Sequence, residues 1–163
     1  MPTAYYQSPI GLIRITATSS YIEEVHFCRE DEHLELPAAG EYSPLLQNCT
    51  EQLIEYFQGV RRQFELPVHQ EGTSFQQSVW SELCGIAYGK TISYTELARK
   101  LGDPKSIRAA ASTNGRNRIA IIVPCHRVIG AKGDLVGYAG GLSRKRWLLQ
   151  HEQKIAWGVQ TLF

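Results

Sequence analysis

Chemistry in this 163-residue sequence concentrates at Pro124-Cys125-His126-Arg127. A thiolate is the strongest side-chain nucleophile, and it persists at neutral pH only in a basic or positively polarised setting. His126 and Arg127 supply such a setting along the chain. Pro124 ends the apolar run Ile119 to Val123 and turns the backbone, which predicts a sulfur at the floor of a pocket. Successive side chains diverge in both strand and helix. His126 is therefore expected to reach the sulfur through a bridging water or a tight local turn, with a distant carboxylate orienting its ring. A cysteine beside a histidine is also an ordinary packing pair, so the dipeptide by itself leaves nucleophile and core residue both open.

The other cysteines, Cys28, Cys49 and Cys84, form no C-x-x-C pair with one another or with Cys125. They read as free thiols of a reducing compartment. His26, Cys28 and His33 lack the spacing of a zinc ribbon or finger, so no metal and no cofactor is expected. No apolar run approaches the roughly 18 residues of a membrane span. The first residues carry neither a basic lead nor an apolar core, so a secretory signal is not expected and the cytoplasm is the expected compartment. The net charge of +1 conceals an asymmetry: through Glu71 there are 4 Lys and Arg against 11 Asp and Glu, and beyond it 13 against 5. The basic half suits a polyanion, while the acidic half faces solvent. A solvated basic face without a partner fits the same numbers.

The elements that must position Cys125 follow from periodicity. Ile13, Ile15 and Ala17 alternate with polar residues, Thr18-Ser19-Ser20 interrupts, and Val25 and Phe27 resume, which predicts a β-hairpin. Ser43-Pro44 opens a helix that carries Leu46, Cys49, Leu53, Tyr56 and Phe57 and stops at Gly59. Phe64, Leu66 and Val68 predict a short strand, and Gly72 a domain joint. Thr73 with Gln76 forms a capping box for a helix bearing Phe75, Val79, Leu83 and Ile86. Ser93 with Glu96 opens another helix, which Gly102 stops; Asp103-Pro104 starts the next, through Arg108-Ala109-Ala110-Ala111. Two short helices joined at a glycine make a candidate helix-turn-helix, a pattern that structural hairpins share. The alanines suit close approach to a DNA groove or to a neighbouring helix. Asn114-Gly115 and Arg116-Asn117-Arg118 form a basic turn, and Ile119 to Val123 is long enough for a buried strand.

Ile122-Val-Pro-Cys-His-Arg-Val-Ile129 resembles the active-site signature of the O6-alkylguanine-DNA alkyltransferases. The resemblance extends upstream to Gly89-Lys90-Thr91-Ile92-Ser93-Tyr94, the Arg108 helix and Asn117. Downstream it includes Gly137-Tyr138-Ala139-Gly140-Gly141, Lys145 and Leu148 to Glu152. It implies an α+β chain: a small ribonuclease-H-like amino-terminal domain over residues 1–71, then a winged helix-turn-helix-like catalytic and DNA-binding domain over 72–163.

The implied activity is stoichiometric, irreversible transfer of an alkyl group from O6 of guanine in double-stranded DNA to Cys125, with the damaged nucleotide flipped out. His126, linked to the thiol by water and held by Glu152, completes a relay; Tyr94 donates to the guanine ring, and Asn117 braces the turn around the cysteine. Arg108 is the implied finger that replaces the flipped base, with Ala109 and Ala110 at the minor groove and Ser93, Thr95, Arg116 and Arg118 as further DNA contacts. Val128, Tyr138, Ala139 and Gly140 line the implied base pocket. A monomer is implied, with clustering on DNA left open.

Ala139 stands where many relatives carry serine, which puts the range of lesions in question. Arg118 stands where proline is common, which predicts a looser hinge and one more phosphate contact. A non-enzymatic lesion sensor, which would lack the acceptor cysteine, a winged-helix regulator and a thiol hydrolase are the rival readings.

Overall fold

The computed structural model describes residues 1–34, 43–158 and 163. The chain divides into two compact units: residues 1–70 with 118–120, and residues 71–117 with 121–163. Neither is wholly contiguous in sequence.

The first unit is a three-stranded antiparallel sheet, β1 (Thr3–Ser8), β2 (Gly11–Ala17) and β3 (Ile22–Phe27), in that order, with helix α1 (Pro44–Phe57) packed on it. The hairpin expected from Ile13 to Phe27 forms as β2 and β3, with Ile13 facing Phe27 and Ile15 facing Val25. Ile13, Ile15 and Ala17 in β2 and Val25 and Phe27 in β3 are buried in period-two alternation, and Ile22 is buried one residue out of that period, opposite the register shift at Thr16–Ala17. Periodicity missed β1, whose Thr3-Ala4-Tyr5-Tyr6 lacks the alternation. The turn into β2 is closed by the Ser8 hydroxyl, 2.6 Å from the Gly11 carbonyl it donates to. Helix α1 begins where Ser43-Pro44 predicts: the Ser43 hydroxyl accepts from the Leu46 N–H, and Gly59 takes a positive φ just past the end.

Two expected strands do not form. Burial from Phe64 to Gln70 does alternate, but the backbone of Glu65 pairs with a side chain instead of a strand. The Glu65 N–H donates to the Gln52 amide oxygen at 2.9 Å, and the Gln52 amide nitrogen donates back to the Glu65 carbonyl at 3.2 Å. Pro67 has no N–H to give, and only Val68 bridges to Ile22. The run Ile119 to Val123 likewise makes a single bridge, Val25 to Ile119. It then turns at Ile121, whose φ of 70° is incompatible with a strand. Ile119, Ile121 and Val123 are buried nonetheless, with Ala120 and Ile122 half-buried between them, which is why the pattern imitates a strand.

The second unit holds α2 (Ser74–Cys84), β4 (Ile92–Ser93), α3 (Tyr94–Lys100), α4 (Ile107–Gly115), β5 (Val128–Ile129) and α5 (Leu142–Trp157). Thr73 and Gln76 form the expected reciprocal capping box on α2, and the Ser93 hydroxyl caps α3. Gly102 leaves α3 with φ 86°. The chain does not enter the next α-helix at once: Asp103 caps a 3-10 turn, Pro104–Ser106, which leads into α4. Helices α2, α3 and α4 pack on one another, and the Trp80 indole N–H donates to the Thr113 carbonyl at 3.2 Å. The molecule is α+β. Among the described residues no helix is long and apolar enough to cross a membrane.

Candidate active site

Strands β4 and β5 are only two residues each and pair in parallel. Ile92 lies opposite Val128 and Ser93 opposite Ile129. Strand β4 runs directly into α3 and β5 emerges directly from a 3-10 turn at Cys125–Arg127; α3 packs back against β5, and Tyr94 at its start comes close enough to Cys125 to feel the charge of the sulfur. Helix α5 closes the other side. Lys145, Leu148, Leu149 and Glu152 are its buried residues, spaced i, i+3, i+4, i+7 as one helical face. Two of the four are charged, one at each end of the stripe.

The tight turn at Cys125 resolves how neighbours with diverging side chains cooperate. Both His126 and Arg127 reach Glu152. His126 Nε2 lies 2.7 Å from Glu152 Oε2, while Arg127 donates through Nε to Oε1 at 2.8 Å and through Nη2 to Oε2 at 3.1 Å. A third Arg127 donor is 2.7 Å from the Ile86 carbonyl, and the Gly89 N–H adds a bond to Oε1 at 3.3 Å. Burial alone would raise the Glu152 carboxyl, but His126 and Arg127 hold it far below the ordinary carboxylate range. An ionised carboxylate only accepts hydrogen bonds, so Nε2 of His126 carries the hydrogen. The ring is wholly buried, and burial lowers its basicity against the opposing pull of Glu152, so it rests neutral. Nδ1 therefore presents a lone pair, with no hydrogen-bond partner among the described residues.

Arg127 was expected to polarise the sulfur, and the structure corrects this: its guanidinium is committed to Glu152 and Ile86. The groups that favour a charged sulfur are Asn117, through a side-chain hydrogen bond, Lys145, through its charge, and the backbone of Cys125 itself, through a hydrogen bond. Burial outweighs them and pushes the Cys125 thiol up, so the resting sulfur, 5% exposed, is protonated. Asn117 Nδ2 also donates to the Val123 carbonyl at 2.8 Å, and Asn114 Nδ2 to the Cys125 carbonyl at 3.3 Å, so two asparagines grip the turn. Lys145 appeared in the sequence only within a motif, and Arg127 only as a neighbour of the sulfur. The i, i+3, i+4, i+7 spacing of Lys145 with Leu148, Leu149 and Glu152 is the signal that places Lys145 inside.

Of the residues expected around a base, Val128 is buried, Tyr138 and Gly140 are half-buried and Ala139 is exposed. The Val128 carbonyl already accepts from Lys145 Nζ at 2.7 Å. The Tyr94 hydroxyl donates to the Val136 carbonyl at 3.1 Å, and burial pushes its phenol up, so it remains a donor.

Arg108 and Ala109 are exposed on α4, and Arg116 is exposed just past its end. Ala110 is a correction: expected at a DNA surface, it is fully buried, because with Thr113 and Asn114 it forms the inward face of α4. Ser93 and Thr95 are half-buried, and the Ser93 hydroxyl is occupied by the Glu96 N–H at 3.1 Å. Arg118, exposed, belongs to the first unit. The looser hinge expected there is also corrected. Its N–H donates to the Gln70 amide oxygen at 3.0 Å and its carbonyl accepts from the Val25 N–H at 3.0 Å, so the backbone is held on both sides. A proline would forfeit the first of these bonds.

Among the described residues no group of three His, Cys, Asp or Glu is arranged to hold a metal. His26 pairs with Glu32 at 3.0 Å, and His33 is exposed.

Comparison with known proteins shows the family. Residues 1–70 match the family described as 6-O-methylguanine DNA methyltransferase, ribonuclease-like domain, and residues 74–154 its DNA binding domain. A methylated-DNA–protein-cysteine methyltransferase of Methanosarcina acetivorans is 43% identical over 150 residues, covering 91% of this chain and 96% of that one. The Mycobacterium tuberculosis protein of that name is 41% identical over 159 residues, covering 96% and 94%. A crystal structure of Mycobacterium tuberculosis OGT in complex with DNA superposes with a TM-score of 0.82 at 40% identity, covering 93% of this chain and 92% of that one. With both halves matched and whole-length relatives at this identity, the chain belongs to the 6-O-methylguanine DNA methyltransferase family.

Proposed function

We propose that this protein repairs DNA by moving the alkyl group of an O6-alkylguanine, and of O4-alkylthymine where it fits, onto Sγ of Cys125 in one irreversible displacement. The observation that carries this reading is the buried His126–Glu152 pair next to the cysteine, with Nε2 locked and Nδ1 left as an acceptor. A water between Nδ1 and the thiol passes the proton to the imidazole, and Glu152 stabilises the imidazolium that results. The sulfur forms its bond to the alkyl carbon as the carbon–O6 bond breaks, and that electron pair returns to the guanine ring. Tyr94 releases Val136 and donates a hydrogen bond from its hydroxyl to the ring nitrogen, which stabilises the negative charge building on the departing base until it takes up a proton. Asn117 keeps the turn in place, and Lys145 favours the transient thiolate. The thioether has no leaving group at neutral pH, so each molecule acts once.

Recognition of the lesion is a separate requirement. A duplex hides the alkyl carbon, so the nucleotide must leave the stack, which costs a few kcal/mol and less where pairing is already damaged. Arg108, exposed on α4, fills the gap from the minor groove while Ala109 lets the helix approach closely. Arg116 and Arg118 contact phosphates, Thr95 lies beside the backbone, and Val128 with the loop at Tyr138, Ala139 and Gly140 meets the base. The catalytic and DNA-binding domain begins at Gly72, and the protein acts as a cytoplasmic monomer without a cofactor. Titrating a methylated duplex with protein tests the reading: repaired DNA should equal protein added, one for one. Catalytic excess of product over protein would exclude a self-alkylating mechanism.

A further inference from the structure

Asn114, in the last turn of α4, is 4% exposed, and its side-chain amide is satisfied on one side only. Nδ2 donates to the Cys125 carbonyl at 3.3 Å, and the same amide lies within hydrogen-bonding reach of the Tyr94 hydroxyl. Oδ1 is buried and has no hydrogen-bond partner among the described residues. An oxygen turned toward the Cys125 carbonyl would repel it, so Nδ2 takes that side and Oδ1 the other. A buried amide oxygen without a donor has lost its hydration uncompensated, so it calls for a donor that the protein itself does not supply. The backbone acceptors beside it are engaged: the Cys125 carbonyl by Asn114, and the Val128 carbonyl by Lys145 at 2.7 Å.

Asn114 thus stands between the two groups the proposed reaction uses, the cysteine turn and the phenol. Alkylation at O6 removes the ring N–H of guanine, so in DNA the exocyclic amine is the only N–H donor left on the base. The carbon that bears this amine is flanked by both nitrogens of the six-membered ring. A Tyr94 hydroxyl bonded to either nitrogen therefore brings the amine to the neighbourhood of Asn114. We propose that Asn114 is a specificity-determining residue of the base pocket, its Oδ1 accepting a hydrogen bond from the exocyclic amine of an O6-alkylguanine. This rests on the alkyltransferase reading above. O4-alkylthymine in DNA has no N–H donor, and neither has O6-alkylhypoxanthine, which differs from the guanine lesion by the amine alone. Either leaves Oδ1 buried and unpaired, and that penalty selects against it. The bond from Nδ2 to the Cys125 carbonyl supports the turn whichever base is bound, so its loss cancels in a ratio of rates on two substrates.

Single-turnover repair of two duplexes, alike except for O6-methylguanine or O6-methylhypoxanthine at one position, tests this directly. Wild-type protein should repair the guanine lesion faster, and Asn114→Leu should shrink that preference by about 10- to 100-fold. Differences between the lesions in pairing and stacking are the same for both proteins and drop out of the comparison. A preference unchanged in Asn114→Leu, with both rates falling together, would show a residue that only holds the turn and would overturn the proposal. So would wild-type protein that repairs both lesions at one rate. If Asn114→Leu does not fold, the Cγ resonance of Asn114 decides, followed in Cys125→Ser bound to each duplex. It should move downfield with the guanine lesion and stay with the hypoxanthine lesion; the same shift with both would overturn the proposal. Wild-type protein inert toward both duplexes would overturn the alkyltransferase reading itself, whereas equal repair of both overturns the selection by Asn114 and leaves that reading standing.

Discussion

At the residue scale the site is a set of commitments made by hydrogen bonds. Glu152 receives four donors from His126, Arg127 and Gly89, and its charge in turn fixes which nitrogen of His126 is left to take a proton. Removing that charge leaves the buried guanidinium without its partner, which typically costs about 3–5 kcal/mol. Glu152→Gln should therefore be less stable by about that amount near neutral pH, read from denaturant midpoints, with alkyl transfer slowed about 10²- to 10⁴-fold. The sign with pH is fixed. The folded carboxyl titrates far below its unfolded value of 4.5, so its stabilisation is complete above that value and disappears as pH falls beneath it. The two proteins should converge in acid; a gap that persists or widens there would reject the assignment. The need for a carboxylate to orient His126 was legible as a chemical requirement, whereas Cys125 as acceptor instead of core residue, and Glu152 as that carboxylate, rested on the resemblance to a known family. The true role of Arg127 was not legible, because only a 3-10 turn lets neighbouring side chains 126 and 127 grip one carboxylate from the same side. Nor does a sequence show that burial keeps the sulfur protonated at rest.

At the scale of elements, capping chemistry marked the helices well and periodicity marked strands unevenly. Ser43, Thr73 and Ser93 each announce a helix start that forms. Residues 64–68 and 119–123 show the strand pattern of burial without strand pairing, because Gln52 in one case and a left-handed Ile121 in the other take the backbone elsewhere. Gly102 joins the two helices of the candidate DNA reader at φ 86°, with open space around it, so Gly102→Ala is a test of backbone conformation alone. It should lower stability by about 1–2 kcal/mol. An unchanged melting temperature would show that this turn tolerates a side chain. Arg108 is exposed on α4 with no part in the buried network, so Arg108→Ala should slow repair of duplex on the order of 10- to 100-fold and leave reaction with free O6-benzylguanine unaltered. Equal loss on both substrates would remove its role in displacing the base.

For the whole molecule, charge separates the halves along the chain: 4 basic against 11 acidic residues through Glu71, then 13 against 5. Affinity for DNA should come mainly from phosphate neutralisation, fall steeply as salt rises and depend little on sequence. A protein neutralising about four to six phosphates would lose roughly 10²- to 10³-fold in affinity between 50 and 200 mM salt; a flat salt profile would point to sequence-specific readout instead. The decisive measurement is the intact mass of the protein after mixing with an equimolar O6-methylguanine duplex, followed by peptide mapping. A gain of about 14 Da confined to the peptide bearing Cys125, and absent from Cys125→Ser that still binds the duplex, is the expected result. Unchanged mass with loss of the lesion, or the same gain on Cys28, Cys49 or Cys84, would contradict a sulfur at position 125 as the acceptor.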